Sequence, residues 1–172
     1  TWLAQNWDWR GSQLHALVHL SIEQQDAPAF QMVTEAGIIG KIGLNEAGIG
    51  VCLNALITDV WEPKVPIHLG LRAILEANTT EEALARVDDN QMASAAHFLI
   101  ASSTGEIASV EVSPVYTAIR KADNGKMTHT NHICSVPMKE RMTESALPNS
   151  FIRLSTIDQI LENLQDKEIT KG

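Results

Sequence analysis

Three polar side chains stand where an apolar core would not place them. Asp8 lies in Gln5-Asn6-Trp7-Asp8-Trp9, and Asp is a poor strand residue. Asn54 closes the apolar run Gly50-Val51-Cys52-Leu53-Asn54-Ala55-Leu56. An amide buried there must find partners or cost about 1–3 kcal/mol. Asn131 falls in Thr128-His129-Thr130-Asn131-His132, at a strand end. One carboxylate and two carboxamides are groups that hold and orient polar atoms. Each also has a plain structural explanation. Asp8 reads equally as a solvated residue near a strand end, Asn54 as a turn or bulge residue, and Asn131 as a turn residue that tolerates left-handed backbone. The six histidines are scattered and no Ser/His/Asp set stands out. His129 and His132 are a close pair without an evident third ligand, so no metal site is expected. Cys52 and Cys134 are too few for a disulfide framework and read as small buried hydrophobes.

The elements that must position these groups follow from periodicity. Strands are expected at 2–9, 14–22, 29–35, 38–44 and 49–56. Within 14–22, Leu14, Ala16, Val18, Leu20 and Ile22 share one face. A helix is expected from Pro66, and a second to about Val87 behind the capping pattern Thr79 to Glu82. Strands return at 96–102 and 106–112 around Ser103-Thr104-Gly105, and at 115–121 and 126–130 around Asp123-Asn124-Gly125. A last helix spans about 150–164, with Leu154, Ile157, Ile160, Leu161 and Leu164 on one face. Strands and helices in groups imply an α+β fold with antiparallel sheets, as in a four-layer sandwich with helices outside.

The chain has 172 residues, enough for one domain, with no repeat or flexible linker. Thirteen basic against 21 acidic residues give a net charge of −8. No basic run forms, which argues against nucleic acid and anionic membranes as partners. No apolar stretch is long enough to span a bilayer. The opening Trp2-Leu3-Ala4 reads as mid-strand, so residues 1–172 are expected to be part of a single domain.

Taken together, several segments resemble the acyl-coenzyme A:6-aminopenicillanate acyltransferase family, within the N-terminal-nucleophile hydrolases. They are Gln5-Asn6-Trp7-Asp8, the run from Thr34 to Asn45, Gly48 to Leu56, and His129-Thr130-Asn131-His132. The resemblance implies a four-layer αββα sandwich, incomplete here, that lacks the nucleophile strand upstream and further strands downstream. It implies a precursor that cleaves itself before a Cys, whose thiol becomes the nucleophile and whose α-amine is the base. Asp8 then matches the position that orients this amine. Asn54 matches the oxyanion-hole amide, and Asn131 a further active-site amide. Gln5 stands where bile-salt hydrolases carry Arg, which favours the acyltransferase branch. Neither Cys52 nor Cys134 can replace the nucleophile, since neither offers an α-amine.

The implied reaction is thiol-dependent amide hydrolysis or acyl transfer through an acyl-enzyme, without a cofactor. The donor is a small-molecule amide or acyl-CoA, and the acceptor is water or an amine. Candidate contacts for the acyl group are Trp9, Leu56 and Trp61, of which Trp9 and Trp61 read first as ordinary core residues. Two alternatives stay open: a non-catalytic homologue serving binding or assembly, and a linear-amide hydrolase of bile-salt or penicillin V type. The remainder of the precursor is the expected partner chain, with homo-oligomers also open. The isolated 172-residue chain is expected to be inactive. Location is peroxisomal or cytoplasmic if the likeness to fungal acyltransferases extends to targeting. Asn78-Thr79-Thr80 is a formal glycosylation sequon, used only in a secreted chain.

Overall fold

The computed structural model describes residues 1–122 and 124–164. A short 3-10 segment, Gly11–Ala16, leads into β1 (Leu17–Ile22). Then follow β2 (Phe30–Glu35), β3 (Ile42–Asn45) and β4 (Ile49–Ala55). The helices α1 (Ile67–Leu75) and α2 (Thr80–Ala85) separate these from β5 (Ala96–Ser102), β6 (Ile107–Val112) and β7 (Ala118–Lys121). A single-turn α3 (Val136–Lys139) and the longer α4 (Pro148–Asn163) close the described chain. The seven strands form one sheet in chain order, every neighbour antiparallel. The α+β expectation is met. Of the two antiparallel sheets expected, one is present among the described residues. No helix among the described residues is long and apolar enough to cross a membrane.

Strand alternation gives the sheet two different faces. One carries Phe30, Met32, Val51, Phe98, Ile100, Val110 and Val112, all buried beneath Leu71, Ile74 and Leu75 of α1 and Leu84 of α2. Losing a side chain such as Phe98 from this core costs about 3–5 kcal/mol. Thr79 caps α2 as expected, accepting the Glu82 N–H at 3.1 Å. The returning Glu82 carboxylate, however, takes the N–H of Asn78 at 2.7 Å, one residue earlier than a capping box requires.

The other face has no helix of this pair on it. Residues 1–7 cross it without forming the strand expected at 2–9. Leu3 lies against Gly50, and the Gln5 side chain bonds the backbone of Leu53 on both its N–H and its C=O. That contact explains the departure: a side chain, not a strand, completes the backbone pairing of β4 there. Trp2 and Trp9 are exposed, and Trp7 is half-buried.

The run Thr34 to Asn45 is a structural connector. Glu35 and Lys41 form a 2.8 Å ion pair with both side chains nearly buried, and Lys41 lies 4.6 Å from the Trp7 ring centre. A Cβ on Gly40 would stand 2.1 Å from the His68 carbonyl of α1, and one on Gly43 2.2 Å from the Gln31 carbonyl of β2. Only glycine permits both approaches. Asn45 donates to the Leu75 and Ala77 carbonyls at 3.0 and 2.7 Å and accepts the Ile49 N–H at 2.8 Å, tying the β3–β4 turn to the end of α1.

Further expectations change, and residues 38–41 and 115–117 lie outside β3 and β7. Residues 14–16 belong to the 3-10 segment, and the strand begins at Leu17. Residues 126–130 form no strand, so the hairpin across 123–125 is absent; Asp123 itself lies outside the described residues. Instead Lys126 Nζ donates to the Leu161 carbonyl at 2.6 Å, and Thr128 donates to Asp158, so this segment runs beside α4. On α4, Leu154, Leu161 and Leu164 are half-buried, while Ile157 and Ile160 are exposed.

Candidate active site

The face turned away from α1 and α2 carries a polar row at one end. Asn54 of β4 pairs in register with His97 of β5, and His97 with Glu111 of β6. Paired residues project to the same side. Ser109, two residues along β6, therefore joins them on this face. Each of these strands is otherwise apolar here.

His97 is fully buried, with ring nitrogens 3.0 Å from Asn54 Oδ1 and 2.9 Å from Ser109 Oγ. Its ring stacks on that of His129 at 3.4 Å between centres and 10° between planes. Burial, then the neighbouring His129 and Arg120, hold the His97 pKa well below its usual value, so the ring is neutral. His129 Nε2 lies 2.8 Å from Glu111 Oε1. The Glu111 carboxylate also accepts the N–H groups of Cys134 and Ser135. Burial raises the Glu111 pKa, but the bonds from His129, Cys134 and Ser135 together bring it below the ordinary carboxylate value.

The segment 129–135 is thus clamped over the polar row, and it delivers Asn131. Asn131 Nδ2 donates to the Ala55 carbonyl at 3.2 Å, one residue past Asn54. Its Oδ1 accepts from Arg153 at 3.0 Å, and its backbone N–H donates to Ser150 Oγ at 2.8 Å. His132 lies 2.8 Å from the same Ser150 hydroxyl and stacks on Phe151. A buried serine at the start of α4 therefore anchors both ends of Asn131-His132. A cleft of about 650 Å³ runs along the same sheet face. It is lined by residues of the 1–7 segment and reaches Cys52, the same-face neighbour of Asn54.

The sequence profile of the acyl-coenzyme A:6-aminopenicillanic acid acyl-transferase family matches residues 1–171. The chain belongs to that family. It is 35% identical over 159 residues to the acyl-coenzyme A:6-aminopenicillanic-acid-acyltransferase 40 kDa form of Emericella nidulans. That match takes in 91% of this chain and 44% of the relative, so the chain spans less than half the length of the curated relative. Among solved structures, a penicillin V acylase from Agrobacterium tumefaciens aligns with a TM-score of 0.54 at 16% identity, over 67% of this chain and 42% of that one. At that identity the likeness concerns the fold. The expected α+β fold of N-terminal-nucleophile acylases is thereby met, as a partial sandwich.

Of the residues expected at the site, Asn131 bonds the Ala55 carbonyl, one residue from Asn54 at the end of β4. Asp8 is exposed on the 1–10 segment. Trp9 and Trp61 are 63% and 69% exposed, and neither lines the 650 Å³ cleft. Leu56 is a core residue, packed with Ala95, Ile133, Met138 and Met142. Burial raises the thiol pKa of both Cys52 and Cys134 to about 11, with Glu111 adding to the effect at Cys134, so both are protonated at neutral pH. Glu111, His129 and Cys134 bring potential ligand atoms within 4.8 Å of one another. The Glu111–His129 bond, the backbone N–H groups on Glu111 and the Cys134 Sγ bond to the His132 carbonyl at 3.8 Å already account for that cluster.

His97, Glu111 and the stacking of His97 on His129 escaped the sequence reading. A signal existed. The turn at Ser103-Thr104-Gly105 sets Ser102 opposite Glu106, and counting outward places His97 opposite Glu111.

Proposed function

We propose that this chain supplies the supporting groups of a cysteine N-terminal-nucleophile active site that acts on small-molecule amides or acyl-CoA through an acyl-enzyme. The observation that carries this reading is the Asn131 bond to the Ala55 carbonyl, one residue from Asn54 at the end of β4, in a family of acyltransferases. The nucleophile is a Cys made N-terminal when the full-length precursor cleaves itself. Its α-amine is the base, and the Asp8 carboxylate orients that amine. Thiol attack on the acyl carbon forms the new C–S bond, and the carbonyl oxygen takes the negative charge. Asn54 Nδ2–H donates to that oxygen. Collapse of the tetrahedral intermediate expels the amine or CoA, which leaves with a proton. Water or an acceptor amine then takes the acyl group by the reverse sequence.

Asn131 holds the chain beside this site and faces the amine or the substrate carbonyl. Trp9 and Trp61 remain proposed contacts for the acyl group through their exposed rings. The isolated 172-residue chain is inactive on this reading.

The test uses the full-length protein. Asn54→Ala lowers kcat by about 10²–10³. Replacing the upstream Cys with Ala abolishes both self-cleavage and the acyl adduct seen by mass spectrometry. Full activity in the Cys variant sinks the reading. Product partition between hydrolysis and acyl transfer, in the presence of an acceptor amine, separates the acyltransferase from a linear-amide hydrolase.

A further inference from the structure

We propose that His97 is a positioning residue that fixes the amide of Asn54 with its N–H groups outward, toward the reacting oxygen. This deepens the function proposed above and rests on it.

Asn54 Oδ1 is an acceptor and lies 3.0 Å from His97 Nδ1. His97 Nδ1 must therefore carry the proton and donate. A neutral imidazole has one N–H, so Nε2 bears a lone pair, and it accepts the Ser109 hydroxyl proton at 2.9 Å. The Asn54 oxygen, which can only accept, sets the tautomer, and the Ser109 hydroxyl, able to donate or accept, matches it by donating to Nε2. An inverted Asn54 amide would set its NH2 against the Nδ1–H, donor facing donor. The oxygen end of Asn54 is thus committed to His97. Among the described residues, Nδ2 donates to no protein acceptor.

The ring itself is held against rotation. Its side chain is buried, Ser109 fixes one edge and the His129 ring covers a face at 3.4 Å. His129 is in turn bonded to Glu111 through Nε2 and lies 2.6 Å from the Thr130 carbonyl through Nδ1. Asn54 and His97 are direct partners across β4 and β5, so the bond between them needs no long reach. An oxyanion donor works when its orientation is set before charge develops. The His97–Ser109 pair provides that setting from beneath, without touching substrate.

The position is distinct from those the family resemblance brings forward. A histidine in the middle of a buried strand reads first as a satisfied core residue. What changes the reading is the partner: the bond goes to the oxygen of the one amide proposed to stabilise the oxyanion.

Two measurements on the full-length protein test the proposal. Nitrogen-15 chemical shifts of the His97 ring show a protonated Nδ1 and an unprotonated Nε2. The reverse tautomer overturns the positioning role, because Asn54 would then turn its oxygen outward. This readout needs no variant, so a substitution that fails to fold does not remove the test. The second is a double-mutant cycle. His97→Leu lowers kcat about tenfold or more and leaves KM within about twofold, as expected for an interaction made only in the transition state. In an Asn54→Ala background the same change alters kcat less than about twofold. His97→Asn, which keeps an N–H near the Nδ1 position, recovers most of the lost kcat. Equal losses from His97→Leu in both backgrounds overturn the positioning role. Failure of Asn54→Ala to reduce kcat overturns instead the function on which it rests.

Discussion

Glu111 Oε1 and His129 Nε2 stand 2.8 Å apart in a place where their side chains are 4% and 0% exposed. The same carboxylate holds the backbone N–H groups of Cys134 and Ser135. One acidic group in β6 thus fastens the whole segment that delivers Asn131. Truncating it leaves buried donors without an acceptor. Glu111→Ala is expected to cost about 3–5 kcal/mol in urea unfolding. Glu111→Gln keeps one acceptor and should cost less. An alanine variant as stable as the parent would show that the clamp contributes nothing.

Stability should fall in acid, in two stages. The His97 pKa is depressed by burial and by its neighbours His129 and Arg120, so the unfolded chain binds this proton more readily. Its contribution is full above the ordinary histidine value of 6.5 and is lost as pH falls below it. Glu111 is also depressed, so its contribution is present above 4.5 and fades as pH falls further. Urea midpoints between about pH 7.5 and about pH 5 should therefore drop, and His97→Leu should flatten that drop. A midpoint that rises on acidification contradicts the sign.

Gly40→Ala is expected to cost about 3 kcal/mol or more, because the new Cβ would stand 2.1 Å from the His68 carbonyl and 2.6 Å from the Arg72 nitrogen. Both are backbone atoms of α1, which cannot swing aside. Gly11→Ala is the control, with nothing within 4 Å of its Cβ, and should stay within about 0.5 kcal/mol. Thermal melting of the two variants makes the comparison.

Gln5→Leu removes the amide that serves both backbone groups of Leu53. The site is half-buried, so water recovers part of the loss, and about 1–2 kcal/mol is expected. Because Leu53 precedes Asn54, kcat of the full-length protein should fall more than this modest destabilisation alone would produce. Loss of stability with kcat intact would confine Gln5 to a structural role.

Much of the sheet was legible because its strands alternate and its turns are short. β2, β4, β5 and β6 lie within a residue or two of their expected bounds. Asn54 and Asn131 stood out as polar residues, and the structure sets Asn131 against the Ala55 carbonyl, beside Asn54. The errors came where local pattern met a tertiary use. Trp7 and Trp9 alternate like strand residues, yet the segment lies across a sheet face and is secured by one side chain, Gln5. Asn124-Gly125 is a strong hairpin signal, and Gly125 does adopt φ +72°. The chain beyond it nonetheless pairs with α4 through Lys126 and Thr128 instead of returning along β7. His97 was overlooked because its significance lies in its partners, which sit on other strands.

The bonds that build the site join residues far apart in the chain: 48 residues for Gln5 and Leu53, 76 for Ala55 and Asn131. Local hairpins cannot form either one. Closing such loops requires the sheet to exist first, since their ordering entropy is met only by many contacts made together. Asn131 is therefore expected to reach the end of β4 only after β4 has its neighbours and α4 has docked Ser150. A newly made chain is then expected to pass through its half-folded stages without this constellation, so the site comes into being only with the finished sheet.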